Sequence, residues 1–269
     1  MKYHISKPSL ILSKYVKQYW AIENHMPQGK EHIQRIVPNG LSDLIFYLED
    51  RPESSKINNP IVDNTLITGQ QNGYYDLKVT GNLSLFSIIF QPHGFSMFFD
   101  IPLSDLFNQN VPLRYVLKEA VNDLEEKLFR AQSFKERIII AEYFLLEQLR
   151  KCKKKYNFNR IEDSIRLINQ SKGIINIDIL ASKACYSRKQ YERLFMDLVG
   201  ISPKKFLRIV RFQSAINERS KNQSTNLTEL TYLSGYYDQS HMTNDFYKLS
   251  GMTPKQFFKD CEPYSDYFQ

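Results

Sequence analysis

The sequence predicts an α+β chain: a β-rich N-terminal domain with a helical hairpin, then an all-α C-terminal domain built on a duplicated helical unit. Three observations predict it. Runs of β-branched and aromatic residues, punctuated by Pro, Asn and Gly, fill much of the first hundred residues. Two apolar stripes at helical spacing follow between residues 113 and 149. A segment that begins at Phe195 recurs, without a gap, from Phe246. The composition suits such a chain. Its 269 residues are 42 % hydrophobic and 24 % charged, which excludes wholesale disorder, collagen and coiled-coil fibres. The length fits one large or two ordinary domains.

Taken in order, IQRIV (33–37), DLIFYL (43–48), YYDLKV (74–79) and LSLFSIIFQ (83–91) read as strands. Pro38-Asn39-Gly40 and Gln71-Asn72-Gly73 read as turns. A helix then keeps Leu113, Val116, Leu117, Ala120, Val121, Leu124 and Leu128 on one face, with Glu119, Asp123, Glu125 and Glu126 outward. A second helix does the same with Phe134, Ile138, Ala141, Leu145 and Leu149. These elements make a domain of residues 1–150. Residues 151–159 follow as a basic linker, and RKCKKK places five basic residues in six positions. Such a run is either a solvated face or a tail that lies along a polyanion.

The charge is unevenly divided. Residues 1–150 carry a net −1 and residues 151–269 a net +8, which together give the +7 of the whole chain. A basic C-terminal part is either a soluble surface or a surface that meets phosphates.

In residues 160–269, Phe195-Met-Asp-Leu-Val-Gly-Ile-Ser-Pro-Lys-Lys-Phe206 matches Phe246-Tyr-Lys-Leu-Ser-Gly-Met-Thr-Pro-Lys-Gln-Phe257 at an offset of 51. Each copy reads as helix, turn, helix, stop. Asn176 caps a helix that reaches Ala184, and Cys185-Tyr186 form the turn. Ser187 with Gln190 makes a capping-box pattern for the next helix, which Gly200 ends. In the second copy Asn226 or Thr228 opens a helix, Gly235 turns the chain, and Asp238 caps a helix that ends at Gly251. Lys204–Arg219 reads as one continuous helix between the copies, with Lys205, Arg208 and Arg211 on its polar side. Two rigidly joined helix-turn-helix units can place their second helices in successive major grooves of DNA, ~34 Å apart.

With LASKACYSRKQYERLFMDLVGISPKKFLRIVRFQ and LTELTYLSGYYDQSHMTNDFYKLSGMTPKQF in place, residues 160–262 resemble the DNA-binding domain of AraC/XylS-type transcriptional regulators. The resemblance implies seven helices with two helix-turn-helix units. It also implies base-reading residues just after each second-helix cap. These are Arg188, Lys189, Glu192 and Arg193 in the first unit, and Gln239, Ser240, Thr243 and Asn244 in the second. Arg193 or Lys189 suits guanine, Glu192 suits a cytosine amino group or pairs instead with Arg188 or Lys189, and Asn244 suits adenine. Two positions depart from the pattern: Asn244 stands where many relatives carry Arg, and Thr231 where they carry Ala. Candidate phosphate contacts are Ser187, Lys204, Lys205, Arg208, Arg211 and Lys255, with the helix starts at Pro203, Asp238 and Pro254 as further anion sites. Cys185 is expected to be a buried structural thiol.

The N-terminal domain is similar to the cupin-like sensor and dimerisation domains of the same family. Pro38-Asn39-Gly40…Asp43-Leu44-Ile45 and Phe90-Gln-Pro-His-Gly94…Asn108 resemble one subgroup whose ligand is generally unknown. The five histidines, His4, His25, His32, His93 and His241, form no metal-binding or hydrolytic motif, and there is no phosphate loop. His93 reads as a structural histidine beside a turn. No catalytic residue, metal or cofactor is therefore expected. The expected partners are double-stranded DNA, a small-molecule effector, a second copy through residues 113–150, and RNA polymerase as a candidate. Two alternatives stand: the N-terminal domain only dimerises or binds a protein partner, or it is a cupin-like enzyme fused to a DNA-reading module. Three scattered cysteines (Cys152, Cys185, Cys261), the polar start MKYHISKPSLILSKYVKQYW and apolar runs too short to cross a membrane give a cytoplasmic expectation.

Overall fold

A computed structural model describes residues 2–55, 63–117, 120–152 and 158–261. The chain runs through β1 (Lys2–Ser6), β2 (Val16–His25), β3 (His32–Ile36), β4 (Ser42–Tyr47), β5 (Glu53–Ser54), β6 (Thr65–Thr68), β7 (Tyr75–Val79), β8 (Asn82–Phe90) and β9 (Asn110–Pro112). Short 3-10 turns at Phe95–Met97 and Leu103–Leu106 precede β9. Then come α1 (Arg114–Leu117), α2 (Ala120–Arg130) and α3 (Phe134–Lys151). The helical part holds α4 (Phe158–Gln170), α5 (Ile177–Lys183), α6 (Arg188–Val199), α7 (Pro203–Lys221), α8 (Leu227–Leu233), α9 (Gln239–Ser250) and α10 (Pro254–Asp260).

The strands form two antiparallel sheets, ordered β1-β2-β8-β4-β6-β9 and β3-β7-β5. Strand β8 shows why its sequence reads as an almost unbroken apolar run. Leu83 and Leu85 face one way, into a cluster with Tyr47, Leu66 and Val79 that joins the two sheets. Phe86, Ile88 and Phe90 face the other way, and Phe86 meets Phe134 of α3 edge-on at 6.0 Å. A strand covered on both faces keeps no polar side. Helix α3 is also tied to β2, because the Tyr19 hydroxyl donates to Glu142 Oε1 at 3.3 Å. Burial and the nearby carboxylate both push the Tyr19 phenol above its ordinary pKa.

Four expected strands are present as β3, β4, β7 and β8, with ends shifted by a residue or so. Strands β1, β2, β5, β6 and β9 have no counterpart among the expected strands. In β2 the register slips between Val16 and Gln18, which breaks the alternation and buries Gln18. Strand β6 is four residues, buried throughout, and offers no alternation at all. The helix expected from Leu113 is described over Arg114–Leu117 as α1 and over Ala120–Arg130 as α2. Residues 118–119 and the side chain of Ala120 lie outside the described residues, so the outward place expected for Glu119 does too. Helices α3 and α4 each reach into the expected linker of 151–159, of which 153–157 lie outside the described residues.

The chain divides into two compact units: residues 1–36, 41–69 and 75–155, and residues 37–40, 70–74 and 156–269. In the second, α7 is the central strut, buried along Phe206, Ile209, Val210, Phe212 and Ile216. The duplicated phenylalanines build the two halves of its core alike. Phe195 meets Phe206 edge-on at 5.5 Å, and Phe246 meets Phe257 edge-on at 5.6 Å.

Candidate nucleic-acid interface

Each helix-turn-helix unit is set by its caps. The Ser187 hydroxyl accepts the amide of Gln190, whose side chain in turn accepts the amide of Ser187, so the expected capping box is formed. In the second unit Asn226, rather than Thr228, caps α8, and Asp238 caps α9 by accepting the amide of His241 at 2.7 Å. Helices α6 and α9 end alike. Gly200 and Gly251 take left-handed φ values of 89° and 72° and donate back to Met196 and Tyr247. A side chain there would be strained.

This frame turns the second helices outward. On α6, Tyr191, Phe195, Leu198 and Val199 are buried, and Arg188, Lys189 and Arg193 are exposed. Lys189 and Arg193 enter no ion pair among the described residues. Arg188 is held instead: it donates to Glu192 Oε1 at 3.0 Å and to both Asp178 oxygens at 3.2 Å, which fixes it between α5 and α6. Glu192 thus makes the helical pair with Arg188 that was the alternative to its expected contact with a base. On α9, Met242, Phe246 and Leu249 face the core, Gln239, Ser240 and Asn244 are exposed, and Thr243 is half-buried. Gln239 Nε2 donates to Thr228 Oγ1 at 2.7 Å, linking α9 to α8. Among the reading positions, α6 carries cations and α9 carries polar neutral groups.

The candidate phosphate contacts separate into two groups. Lys204, Lys205 and Lys255 are exposed in the first turns of α7 and α10, beside the Ser202 and Thr253 caps. Amide dipoles and lysines there point at the same solvent. Arg208 and Arg211 differ from the expectation of a free polar face, because Asp245 of α9 draws them inward. Arg208 Nε lies 3.1 Å and an Arg211 guanidinium nitrogen 3.7 Å from its carboxylate, which is only 5 % exposed. Arg211 also donates to the Gly173 carbonyl at 2.9 Å. Burial raises the Asp245 pKa, with Arg208, Arg211, His241 and Lys248 pulling the other way. These two arginines brace α9 against α7. No sequence pattern signals this, because Asp245 follows the exposed Asn244 by one residue.

Cys185 corrects another expectation. It is exposed, at φ 57°, because the left-handed turn lifts its side chain into water while Ala184 takes the buried place. His93 is buried in the first unit at 4 % exposure, and desolvation lowers its pKa to about 4.

Residues 180–260 match a family model described as a helix-turn-helix domain, and residues 4–112 one described as a domain of unknown function (DUF6597). An uncharacterized HTH-type transcriptional regulator of Haemophilus influenzae is 30 % identical over 95 residues, which cover 35 % of this chain and 32 % of that protein. The match spans about a third of that relative's length. Among solved structures, ToxT from Vibrio cholerae at 1.65 Å is similar with 9 % identity and a TM-score of 0.49, over 90 % of this chain and 98 % of that one. A second structure of ToxT, from Vibrio cholerae O395, gives 11 % identity and a TM-score of 0.48, over 90 % and 97 %.

Proposed function

We propose that the protein is a sequence-specific, DNA-binding transcription regulator of the AraC type, a reading supported by the match of residues 180–260 to a helix-turn-helix domain. The observation that carries this reading is the pair of capped second helices, α6 and α9, each with a buried apolar face and an exposed polar one. Lys204, Lys205 and Lys255 supply phosphate contacts, Lys189 and Arg193 read the first contact block, and Gln239, Ser240, Thr243 and Asn244 the second. No residue is assigned to catalysis.

The test is selection of genomic DNA fragments by the purified full-length protein. The expected result is one motif with two contact blocks about a helical turn apart. It should be preferred over random DNA with a steep dependence on salt. No preference for any fragment over random DNA refutes the reading.

The N-terminal domain is proposed as an effector-binding and dimerising unit. A cavity of about 430 Å³ in the first unit, lined among others by Met97, Phe98, Phe99, Ile101, Gln148 and Lys151, supports the first role. Its size and mixed lining suit a small, partly apolar molecule. A compound that raises the melting temperature of the wild type but not of Ile101→Trp would locate binding there; equal shifts in both would place it elsewhere. Exposed Phe129, Ile139 and Tyr143 on α2 and α3 support the second role.

A further inference from the structure

The two helix-turn-helix units match at two different offsets. Asn176 and Asn226 cap α5 and α8 fifty residues apart, whereas Ser187 and Asp238 cap α6 and α9 fifty-one residues apart. The turn of the second unit therefore holds one extra residue. Backbone geometry identifies it. Cys185 and Gly235 both turn the chain through left-handed φ values, 57° and 81°. The residue after each, Tyr186 and Tyr236, donates its amide five residues back, to Ala181 and Thr231, at 3.0 Å in both cases. Each of these tyrosines also lies beneath an arginine, Arg160 at 4.9 Å and Arg211 at 5.8 Å from the ring centre. The correspondence is complete at Tyr236, so Tyr237 is the surplus residue.

Tyr237 is 86 % exposed. It immediately precedes the Asp238 cap, at the end of α9 where Gln239 and Ser240 face solvent. A lone exposed tyrosine needs no explanation in general; its position does the distinguishing. The extra turn residue sets a long, rigid donor beside the start of a reading helix whose reading positions hold no cation, whereas α6 brings Arg188, Lys189 and Arg193. Tyrosine is among the side chains that donate to phosphate oxygens, and such contacts fix a helix in register without adding charge.

We infer that Tyr237 is a DNA-contacting residue of the second unit. Its phenol hydroxyl donates to a phosphate oxygen at the edge of the groove that α9 enters, and its ring packs on the adjoining sugar. This rests on the regulator reading above. Because the contact is neutral it displaces no cation, so it leaves the salt dependence as it is.

The experiment compares full-length wild type, Tyr237→Phe, Tyr237→Ala and Tyr232→Ala on a duplex that the wild type enriches from genomic DNA, and on a scrambled duplex of equal length. Affinity is measured across a salt series, with hydroxyl-radical footprints of each complex and a melting curve of each protein. Tyr237→Ala is expected to bind the enriched duplex about tenfold more weakly, and Tyr237→Phe about fivefold. The salt slope and melting temperature should not change, and protection should fade at the second contact block alone. Tyr232→Ala, which alters an exposed tyrosine of α8, should match wild type. Wild-type binding by Tyr237→Ala, or a loss that spares the second block, overturns the assignment. A wild type that prefers no fragment overturns the regulator reading and this assignment together.

Discussion

Arg193 and Lys205 are both exposed cations, yet their places give them different work. Arg193 lies on the outward face of α6, one turn past the Ser187 capping box, where a fork of donors can meet a guanine edge. Lys205 lies in the first turn of α7, beside amides that attract any phosphate. Arg193→Ala should cost roughly 1–3 kcal/mol on the selected site and relax preference at one base pair. Lys205→Ala should weaken all duplexes about equally and reduce the salt slope by about one. Competition binding on the selected and scrambled duplexes checks this, and identical losses for both variants on both duplexes would refute the division of roles. His93 makes a different kind of prediction. Buried neutral, it has a folded pKa of about 4, below the ordinary ~6.5. The unfolded chain therefore binds the extra proton between those values. The stability from keeping His93 neutral is complete above about pH 6.5 and is lost as the pH falls towards 4. Denaturant titrations at pH 7 and pH 5 should show this loss in the wild type, and His93→Gln should reduce the difference between them. An equal pH dependence in both proteins would refute it.

At the scale of elements, α9 is held by a charge cluster as well as by packing. Asp245 joins α9 to Arg208 and Arg211 of α7, and its burial opposes the attraction it gains from them. A fully buried pair that loses one partner costs about 3–5 kcal/mol. Arg208 is still a third exposed, so solvent screens part of the interaction. Asp245→Ala is expected to cost about 2 kcal/mol in denaturant unfolding, with a larger loss of binding at the second contact block than at the first. Unchanged stability and an unchanged footprint would show that packing alone positions α9. The caps of these helices could be read from the sequence because capping is a local pairing of residues two or three apart: Asn176, Ser187, Asn226 and Asp238 all perform the expected role. The arginine partners of Asp245 could not be read, because Arg208 and Arg211 lie more than thirty residues away on another helix.

At the scale of the whole molecule, one chain with two helix-turn-helix units would, on the regulator reading proposed above, do by duplication what other proteins do by pairing. A second copy would double the contact blocks again. The exposed faces of α2 and α3 are the proposed contact, with Ile139 at 49 % and Tyr143 at 71 % exposure one helical turn apart. Light scattering at micromolar concentration should give a dimer for the wild type and a monomer for Ile139→Glu/Tyr143→Glu, with the melting temperature little changed. A monomeric wild type would remove this role from the hairpin.

By itself the sequence determined the α+β division, the helix ends of the duplicated unit and the positions of the exposed cations on α6, α7 and α10. Each follows from local rules of periodicity, capping and glycine conformation that act over a few residues. The tertiary structure decided the rest. It paired β2 with β8 across a bulge, drew Arg208 and Arg211 inward to Asp245, turned Cys185 outward, and exposed Tyr237 as the extra residue of the second turn. The reason is physical: which strand covers which, and which charge is taken from water, depend on contacts between residues far apart in the chain. No local pattern encodes the partner.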